Sequence, residues 1–295
     1  MQLALRDSTV VSSRSDALDD AKGRVSHTVV VVAVAVIVAL VLGVRASPVR
    51  GDGDGLELVP INASPHDLTT VGDTLYFLAD GRLWRSDGTE SGTQRVADVT
   101  REATGWTLEG LTAAGDTLYF WARQLTEPAD ALGSEGEGRA ELWRSDGTGA
   151  GTHLVKTILP EAVRLWVSAI VPAGDAVFVI TDDGYRDTLW RSDGTAEGTR
   201  ALVDLSGIGF VGGYGPSVAE FVVMANTAYF MVQDANLAYA LGKSDGTADG
   251  SRRVAEIDKV VREVAVTGDT LFVVGEDGER DGRKLWTYEI PSAAA

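Results

Sequence analysis

The chain contains no cysteine, and it has only three histidines among its 295 residues: His27, His66 and His153. Disulfide bonds and cysteine-based zinc sites are therefore excluded, and the histidines do not stand at the spacing of a zinc-binding motif. The chain also lacks a Gly-x-Ser-x-Gly nucleophile motif and a phosphate-binding glycine loop. We therefore predict no catalytic residue, no bound metal and no cofactor.

Positive charge is scarce as well. The chain carries 26 Lys and Arg against 43 Asp and Glu, a formal net charge of −17. Residues 1–55 are balanced, so the acidic excess belongs to the remainder of the chain. Such a surface repels nucleic acids and anionic lipids, which excludes polynucleotide partners. It is compatible with solubility, with cations or with basic partners.

Two short phrases recur along the chain. Leu-Trp-Arg-Ser-Asp-Gly-Thr occupies residues 83–89, 142–148 and 189–195, and residues 241–247 carry the altered form Leu-Gly-Lys-Ser-Asp-Gly-Thr. A phrase related to Gly-Asp-Thr-Leu-Tyr-Phe precedes each copy and returns once more from Gly268. Five units of about 50 residues identify a repeat architecture.

Within each unit the pattern predicts four short β-strands. In the first unit these are residues 68–71, 74–78, 83–84 and 96–99, separated by Gly and Asp turn residues. Four strands per unit are typical of a propeller blade, so we predict an all-β, five-bladed β-propeller. The Asp-Gly pairs are predicted to form structural turns between strands. They are Asp87-Gly88, Asp146-Gly147, Asp193-Gly194 and Asp245-Gly246.

The fifth unit ends without a final strand after Trp286, whereas residues 56–61 precede the first unit and read as an extra strand. We predict that this N-terminal strand completes the fifth blade and closes the ring, because closure removes exposed sheet edges. An open stack of sheets is the alternative.

The repeated phrase resembles the bacterial ELWxxDGT repeat family. Residues 141–148 match the whole consensus, and residues 83–89 and 189–195 match all of it except the Glu. The fourth copy departs from it, with Gly242 in place of Trp, which predicts looser packing there. The resemblance implies a surface-exposed, propeller-like repeat protein and supplies no catalytic residues.

The N-terminal region has a different character. Residues 1–28 form a charge-balanced tail that we expect to be disordered, and residues 29–46 form an apolar segment. Extended back to Val25, the apolar run reaches the ~20 residues that a membrane helix needs, so we predict one transmembrane helix with the propeller outside. A signal segment cleaved near Ala46, with secretion, is the alternative. A flexible linker (residues 47–55), the propeller (residues 56–290) and a short tail (residues 291–295) follow.

Residues that break the repeat symmetry are the better binding candidates, because a ligand is held once. The longest insertion, residues 123–140, is acidic and lies in the second unit, and aromatic residues outside the phrases offer faces for a sugar or a cation. The candidates are Glu127, Asp130, Glu135, Glu137, Trp106, Trp166 and Tyr214.

Taken together, these features predict a non-catalytic binding module for a protein or glycan at the cell surface. A glycan hydrolase or lyase on the same scaffold is the first alternative, and carboxylates converging from non-equivalent positions would favour it. A structural module that assembles with its own copies is the second alternative, and the sequence leaves the oligomeric state open.

Overall fold

The computed structural model describes residues 59, 61, 63–99, 106–125, 138–162, 166–167, 170–183, 187–205, 221–224, 226–233, 239–257, 260–276 and 283–289. This part of the chain is all-β. Its strands form five consecutive antiparallel sheets. Within the described part, no helix is long and apolar enough to cross a membrane, and the apolar segment 29–46 lies outside it.

The twenty strands follow the order of the sequence units. The first sheet contains β1 (Pro65–Val71), β2 (Thr74–Ala79), β3 (Arg82–Ser86) and β4 (Gln94–Asp98). The second contains β5 (Trp106–Ala114), β6 (Thr117–Leu125), β7 (Gly138–Ser145) and β8 (His153–Ala162). The third contains β9 (Trp166–Val167), β10 (Val171–Ala173), β11 (Ala176–Asp182), β12 (Asp187–Ser192) and β13 (Arg200–Asp204). The fourth contains β14 (Phe221–Met224), β15 (Thr227–Gln233), β16 (Tyr239–Ser244) and β17 (Arg252–Ile257), and the fifth contains β18 (Val260–Thr267), β19 (Thr270–Glu276) and β20 (Arg283–Glu289).

Each sheet is a meander in which neighbouring strands are also neighbours in sequence. The exception is β9, which pairs with β11 beside β10. The four strands predicted for the first unit coincide with β1 to β4. In four sheets the register between the last two strands shifts at the second residue of the repeated phrase, as at Trp84 and Trp143. The unpaired extra residue, such as Val96 or Val155, lies on the strand that follows the Asp-Gly turn, so the shift is a β-bulge of that last strand.

The hydrophobic core lies between successive sheets. Because side chains alternate across a strand, β6 directs Leu118 and Phe120 toward the first sheet and Tyr119 and Trp121 toward the third. All four side chains are almost fully buried. Equivalent clusters join the third sheet to the fourth and the fourth to the fifth. Each internal sheet is therefore covered on both faces by its neighbours.

The fourth sheet packs differently from our expectation of a looser unit. Gly242 lies under the ring of Phe230, and a Cβ atom at Gly242 would be 2.4 Å from that ring. Phe230 is completely buried and stacks on Phe221 with 5.8 Å between ring centroids. The space over Gly242 is therefore filled by the neighbouring strand's phenylalanine.

The fifth sheet has three strands among the described residues. Residues 56–58 of the predicted closing strand lie outside the described part, and the described Val59 and Ile61 are not in a strand. Ring closure by this segment therefore stays a prediction. On the face of the fifth sheet turned away from the fourth, Phe272 and Val274 are half-buried and Leu285 is 62% exposed.

Candidate functional site

The Ser-Asp-Gly-Thr turn is held by its own side chains. In the first unit, Asp87 Oδ1 accepts hydrogen bonds from the backbone N–H of Thr89 at 2.9 Å and from its hydroxyl at 2.7 Å. Ser86 Oγ accepts from the N–H of Gly88 at 3.1 Å and shares a hydrogen bond with Thr93 Oγ1 at 2.7 Å. The side chains replace the backbone ladder in the turn, which is the usual role of Asp, Ser and Thr there.

The turn requires a second glycine, because the aspartate carboxylate lies close to the backbone at that position. A Cβ atom at Gly92 would lie 1.9 Å from Asp87 Oδ1, which no real structure tolerates. The N–H of Gly92 instead donates to Thr89 Oγ1 at 2.9 Å. Gly151, Gly198 and Gly250 lie against their own aspartates in the same way.

The same bonds recur in the other three turns. Asp146, Asp193 and Asp245 each accept from the threonine two residues on, again at 2.9 Å from its N–H and 2.7 Å from its hydroxyl. The threonine hydroxyl, followed by its N–H, lowers the pKa of each of the four aspartates. The repeated aspartates therefore hold the turns.

The second, third and fourth turns also contact the preceding sheet. Gly147 and Gly194 adopt positive φ angles of 84° and lie against the side chains of Tyr76 and Tyr119 respectively. Arg144 Nη1 donates to the carbonyl oxygen of Gly194 at 3.3 Å. Burial raises the pKa of the Tyr119 hydroxyl. The turn is thus a link between sheets as well as a link between strands.

The first turn lacks this contact among the described residues. A Cβ atom at Gly88 would meet nothing within 4 Å. The indole nitrogen of Trp84 in the same sheet is buried and has no hydrogen-bond partner in the described part of the chain. On its face turned away from the second sheet, the first sheet therefore has a turn glycine without a neighbour and a buried hydrogen-bond donor without a partner among the described residues.

Trp106 is the one predicted binding residue whose side chain the structure describes. It begins β5, is half-buried, and has the Arg139 guanidinium 5.0 Å from its ring centroid. Arg139 in turn pairs with the buried carboxylate of Glu141, which accepts from Trp143 Nε1 at 3.1 Å. One face of the Trp106 ring is therefore already covered by a cation from its own sheet.

The other predicted binding residues cannot be placed around Trp106. Trp166 lies in β9, where its backbone pairs with Asp182, and its side chain is not described. Five further residues lie outside the described part of the chain: Tyr214, Glu127, Asp130, Glu135 and Glu137.

Two buried carboxyl groups were missed by the sequence reasoning. Asp182 and Asp187 are directly opposite each other on β11 and β12, and they are 5% and 1% exposed. Paired residues on neighbouring antiparallel strands direct their side chains to the same face, so the two carboxyl groups share one environment. Within the described residues, no group of three His, Cys, Asp or Glu side chains is arranged to hold a metal ion.

A pocket of about 300 Å³ between the third and fourth sheets was also missed. It is lined by Ala173, Asp175, Ala176, Arg191, Asp193, Asn226 and Asp245. The pocket opens at the end of the sheets where the Asp-Gly turns lie. The connections between the second and third strands of each sheet lie at the opposite end. The signal available in the sequence was the departure of Ala176 and Phe178 from the phrase Gly-Asp-Thr-Leu-Tyr.

No family model matches the chain, and no curated protein matches it. Solved structures with a similar arrangement include the β-propeller domain of the Trilobed protease from Pyrococcus furiosus, which has an open velcro topology. That domain aligns over 76% of this chain and 66% of its own, with 13% identity and a TM-score of 0.47.

A puromycin-hydrolyzing peptidase of Mycobacterium tuberculosis aligns over 79% of this chain and 37% of its own, with 13% identity and a TM-score of 0.45. A putative TolB from Agrobacterium tumefaciens aligns over 74% of this chain and 73% of its own, with 16% identity and a TM-score of 0.39. This chain thus spans less than two fifths of the length of the peptidase.

Proposed function

We propose that this chain is a membrane-anchored, extracytoplasmic five-bladed β-propeller of the ELWxxDGT repeat type, which binds a protein or glycan at the cell surface without chemical turnover. The observation that carries the proposal is the identical internal bonding of the four Asp-Gly turns. The residues that recur in these turns are occupied in holding the scaffold together. Recognition then falls to residues that differ between units.

Closure of the ring by residues 56–61 is supported by the fifth sheet. The outer edge of β20 has no strand beside it among the described residues, whereas the corresponding strands of the other four sheets are paired. Leu285 on this strand is 62% exposed. A strand at this edge would bring the fifth sheet to four strands and remove an edge that invites aggregation. In the sequence the segment ends just before β1.

The connections between the second and third strands of each unit are the proposed recognition surface. Antiparallel strands alternate in direction, so these connections all lie at the end of the sheets opposite to the Asp-Gly turns. They vary from the two-residue turn at Asp80-Gly81 to the insertion within residues 123–140. Variable loops on a rigid scaffold are the usual location of binding residues.

The anchor is proposed from the sequence, with residues 29–46 in the membrane and residues 47–55 as the spacer to the domain. The acidic excess of the remaining chain favours basic or neutral partners and disfavours nucleic acids.

A second candidate, glycan hydrolysis, is favoured by Asp182 and Asp187. They come from one unit only and are buried side by side, as a pair of catalytic carboxyl groups would be. Each of the two also has an interaction within the protein, which favours a structural role for the pair.

The test is a screen of the purified full-length chain against cell-wall polymers, soluble glycans and surface proteins, with product analysis by mass spectrometry. Saturable binding without product release is expected, and deletion of residues 126–137 should weaken it. Release of product that is lost in Asp182→Asn and Asp187→Asn would replace the proposal with the hydrolase. Absence of binding together with concentration-dependent sedimentation would replace it with self-assembly.

A further inference from the structure

The outer edge of the fifth sheet differs from the outer edges of the other four sheets. Its outermost described strand, β20, pairs with β19 along all seven residues and has no strand on its other side among the described residues. The register of β20 has no shift, whereas the outermost strands β4, β8, β13 and β17 each carry a bulge. A bulge blunts a sheet edge against pairing with another chain, so β20 is the regular edge among the five.

The side chains of β20 alternate between the two faces of the sheet. Those on the face turned away from the fourth sheet are exposed: Arg283, Leu285, Thr287 and Glu289. Those between them are half-buried: Lys284, Trp286 and Tyr288. The exposed face of the strand therefore has a cation at its start, an anion at its end, and an apolar and a β-branched residue between them.

This sequence is complementary to itself in the antiparallel direction. A twofold axis perpendicular to the sheet at Trp286 places Arg283 of one copy opposite Glu289 of a second copy, and Leu285 opposite Thr287. Directly opposite residues on antiparallel strands point to the same face, so each Arg283–Glu289 pair and each Leu285–Thr287 pair lies side by side. A parallel pairing in register would instead place like charges next to each other at both ends.

Other antiparallel registers use less of the strand. The twofold axis keeps each face of one sheet continuous with the same face of the other, so the axis can move only from residue to residue. An axis at Leu285 or at Thr287 pairs five residues and loses both arginine–glutamate pairs. The strand β13 also begins with an arginine and ends with an aspartate, but the bulge at Leu202 interrupts the alternation that such pairing needs.

The same edge is the place that the proposed ring closure gives to residues 56–61. These residues belong to the same chain and lie just before β1 in the sequence. A segment tethered in this way reaches its site at an effective concentration on the order of millimolar, far above that of a second copy in dilute solution. A second copy therefore pairs with β20 only when residues 56–61 have left the edge.

We propose that β20 is an interface for a second copy of this chain, which pairs through its own β20 whenever residues 56–61 do not occupy the edge. The two three-stranded sheets then form one continuous sheet about a twofold axis at Trp286. The inference rests on the ring closure within the proposed function, and it adds that the closing segment keeps the chain monomeric.

The test is sedimentation velocity in mild detergent, over a range of concentrations, on the full-length chain and on the same chain without residues 56–61. The full-length chain is expected to be monomeric, and the deletion variant is expected to dimerise because its edge is uncovered. If the deletion variant loses its circular dichroism signature, Leu58→Asp in the full-length chain replaces it, since a charge should release the segment without removing residues.

The two possible failures give different results. A full-length chain that already dimerises through β20 would reject the ring closure and retain the interface. A released chain that is folded but stays monomeric at every concentration would overturn the interface and leave the ring closure standing.

Charge reversals identify the strand and its direction. In the released chain, Arg283→Glu or Glu289→Arg places like charges opposite each other at both ends of the pairing, so each should weaken the dimer about tenfold. An equimolar mixture of the two variants restores both opposite-charge pairs and should form a heterodimer. Arg252→Glu makes the same charge change on an exposed residue of β17 and is the matched control. Equal weakening by Arg252→Glu, or a mixture that stays monomeric, would reject the pairing.

The absence of cysteine from the chain allows the register to be read by cross-linking. Leu285→Cys and Thr287→Cys replace exposed residues that lie opposite each other in the proposed pairing. Under mild oxidation in the released chain, a mixture of the two variants should form disulfide-linked dimers, because opposite residues lie within disulfide reach. Neither variant alone should do so at a comparable rate. Equally fast cross-linking of one variant with itself, or none in the mixture, would overturn the register.

Discussion

At the scale of single residues, the Asp-Gly turn shows why a short phrase tolerates little change. Asp146 Oδ1 accepts two hydrogen bonds from Thr148, and Gly151 leaves no room for a side chain beside that carboxylate. Gly147 holds a positive φ and lies against Tyr76 of the preceding sheet. Each position is fixed by a different physical requirement, which explains why Asp, Gly and Thr recur together in the turn.

The contact between Gly151 and Asp146 predicts a non-additive pair of substitutions. Gly151→Ala should destabilise the fold by about 1–3 kcal/mol, because the new methyl group overlaps the carboxylate. In an Asp146→Ala background the same change should cost less, since the overlapping group is gone. Urea unfolding of the two single variants and the double variant measures the coupling. Strict additivity would contradict the geometry.

The lowered pKa values of the four turn aspartates predict that the stability of the fold depends on pH in the acid range. Their pKa values lie below the ordinary 3.8 in the folded protein because of the threonine hydroxyl and N–H. Their contribution to the free energy of unfolding is fully present above the pKa of about 3.8 that the aspartates have in the unfolded chain. It is lost as the pH falls below that value and through the lower pKa values of the folded protein.

Thermal unfolding between pH 5 and pH 2 should therefore show a midpoint that falls most steeply below pH 4. A variant with asparagine at all four positions should show a shallower fall over that interval. Identical profiles for the two proteins would mean that other carboxyl groups govern acid unfolding.

At the scale of strands and sheets, the packing between neighbouring sheets depends on side chains that point alternately to the two faces of a strand. Trp143 is 9% exposed, its ring centroid lies 6.4 Å from that of Phe120, and its Nε1 donates to Glu141. Trp286, at the same position in the fifth unit, is only half-buried. The tryptophan of the repeated phrase is therefore expected to contribute differently to the stability of the fold in different sheets.

Trp143→Ala should destabilise the fold by about 3–5 kcal/mol, because it leaves a cavity and removes the partner of a buried carboxylate. Trp286→Ala is the matched control and should cost clearly less. Denaturant unfolding measures both changes. A loss under about 1 kcal/mol for Trp143→Ala would contradict its packing role.

Restoring the repeat consensus in the fourth sheet should be harmful. Gly242→Trp would force a ring into space held by the buried Phe230, so we expect a loss of about 1–3 kcal/mol or failure to fold. Gly242→Trp combined with Phe230→Ala should recover part of the loss. Differential scanning calorimetry checks both variants, and a stabilised Gly242→Trp would show that Phe230 can move aside.

Sequence periodicity was sufficient to place the strands and the turns, because both depend on local residue types such as the Asp-Gly pair. It could not place Phe230 over Gly242, because that contact depends on how a ring from the neighbouring strand fills a gap. Nor could it find the pocket, because the pocket is lined by residues of two sheets, and the sequence pattern does not show how two sheets meet. Trp106 was predicted from the sequence as a binding residue, whereas its contact with Arg139 depends on the pairing of strands within the second sheet and had no signal in the sequence.

At the scale of the whole molecule, four of the sheet junctions are described and are packed, while the fifth sheet and the first sheet share no core cluster among the described residues. On these two sheets, Leu285 is 62% exposed, a Cβ atom at Gly88 would meet nothing within 4 Å, and the buried Trp84 Nε1 has no hydrogen-bond partner in the described part of the chain. The stability of the molecule should therefore depend on what covers this junction.

Deletion of residues 56–61 tests the closing strand. If the segment pairs with β20, its loss should lower the unfolding midpoint and expose apolar surface, because an edge strand and the face around Leu285 are uncovered. Deletion of residues 47–52 in the linker is the matched control and should change neither. Circular dichroism and dye binding measure both effects, and an unchanged midpoint after the first deletion would favour the open stack.

The contact of the second, third and fourth Asp-Gly turns with the preceding sheet has a consequence for the order in which the molecule forms. A turn such as that at Gly147 leaves the ribosome about 70 residues after Tyr76, the side chain it lies against. Each unit therefore gains its last interaction only when the following unit has been synthesised. Assembly should proceed from the N-terminus toward the C-terminus, with the most recently made unit always the least protected from proteolysis.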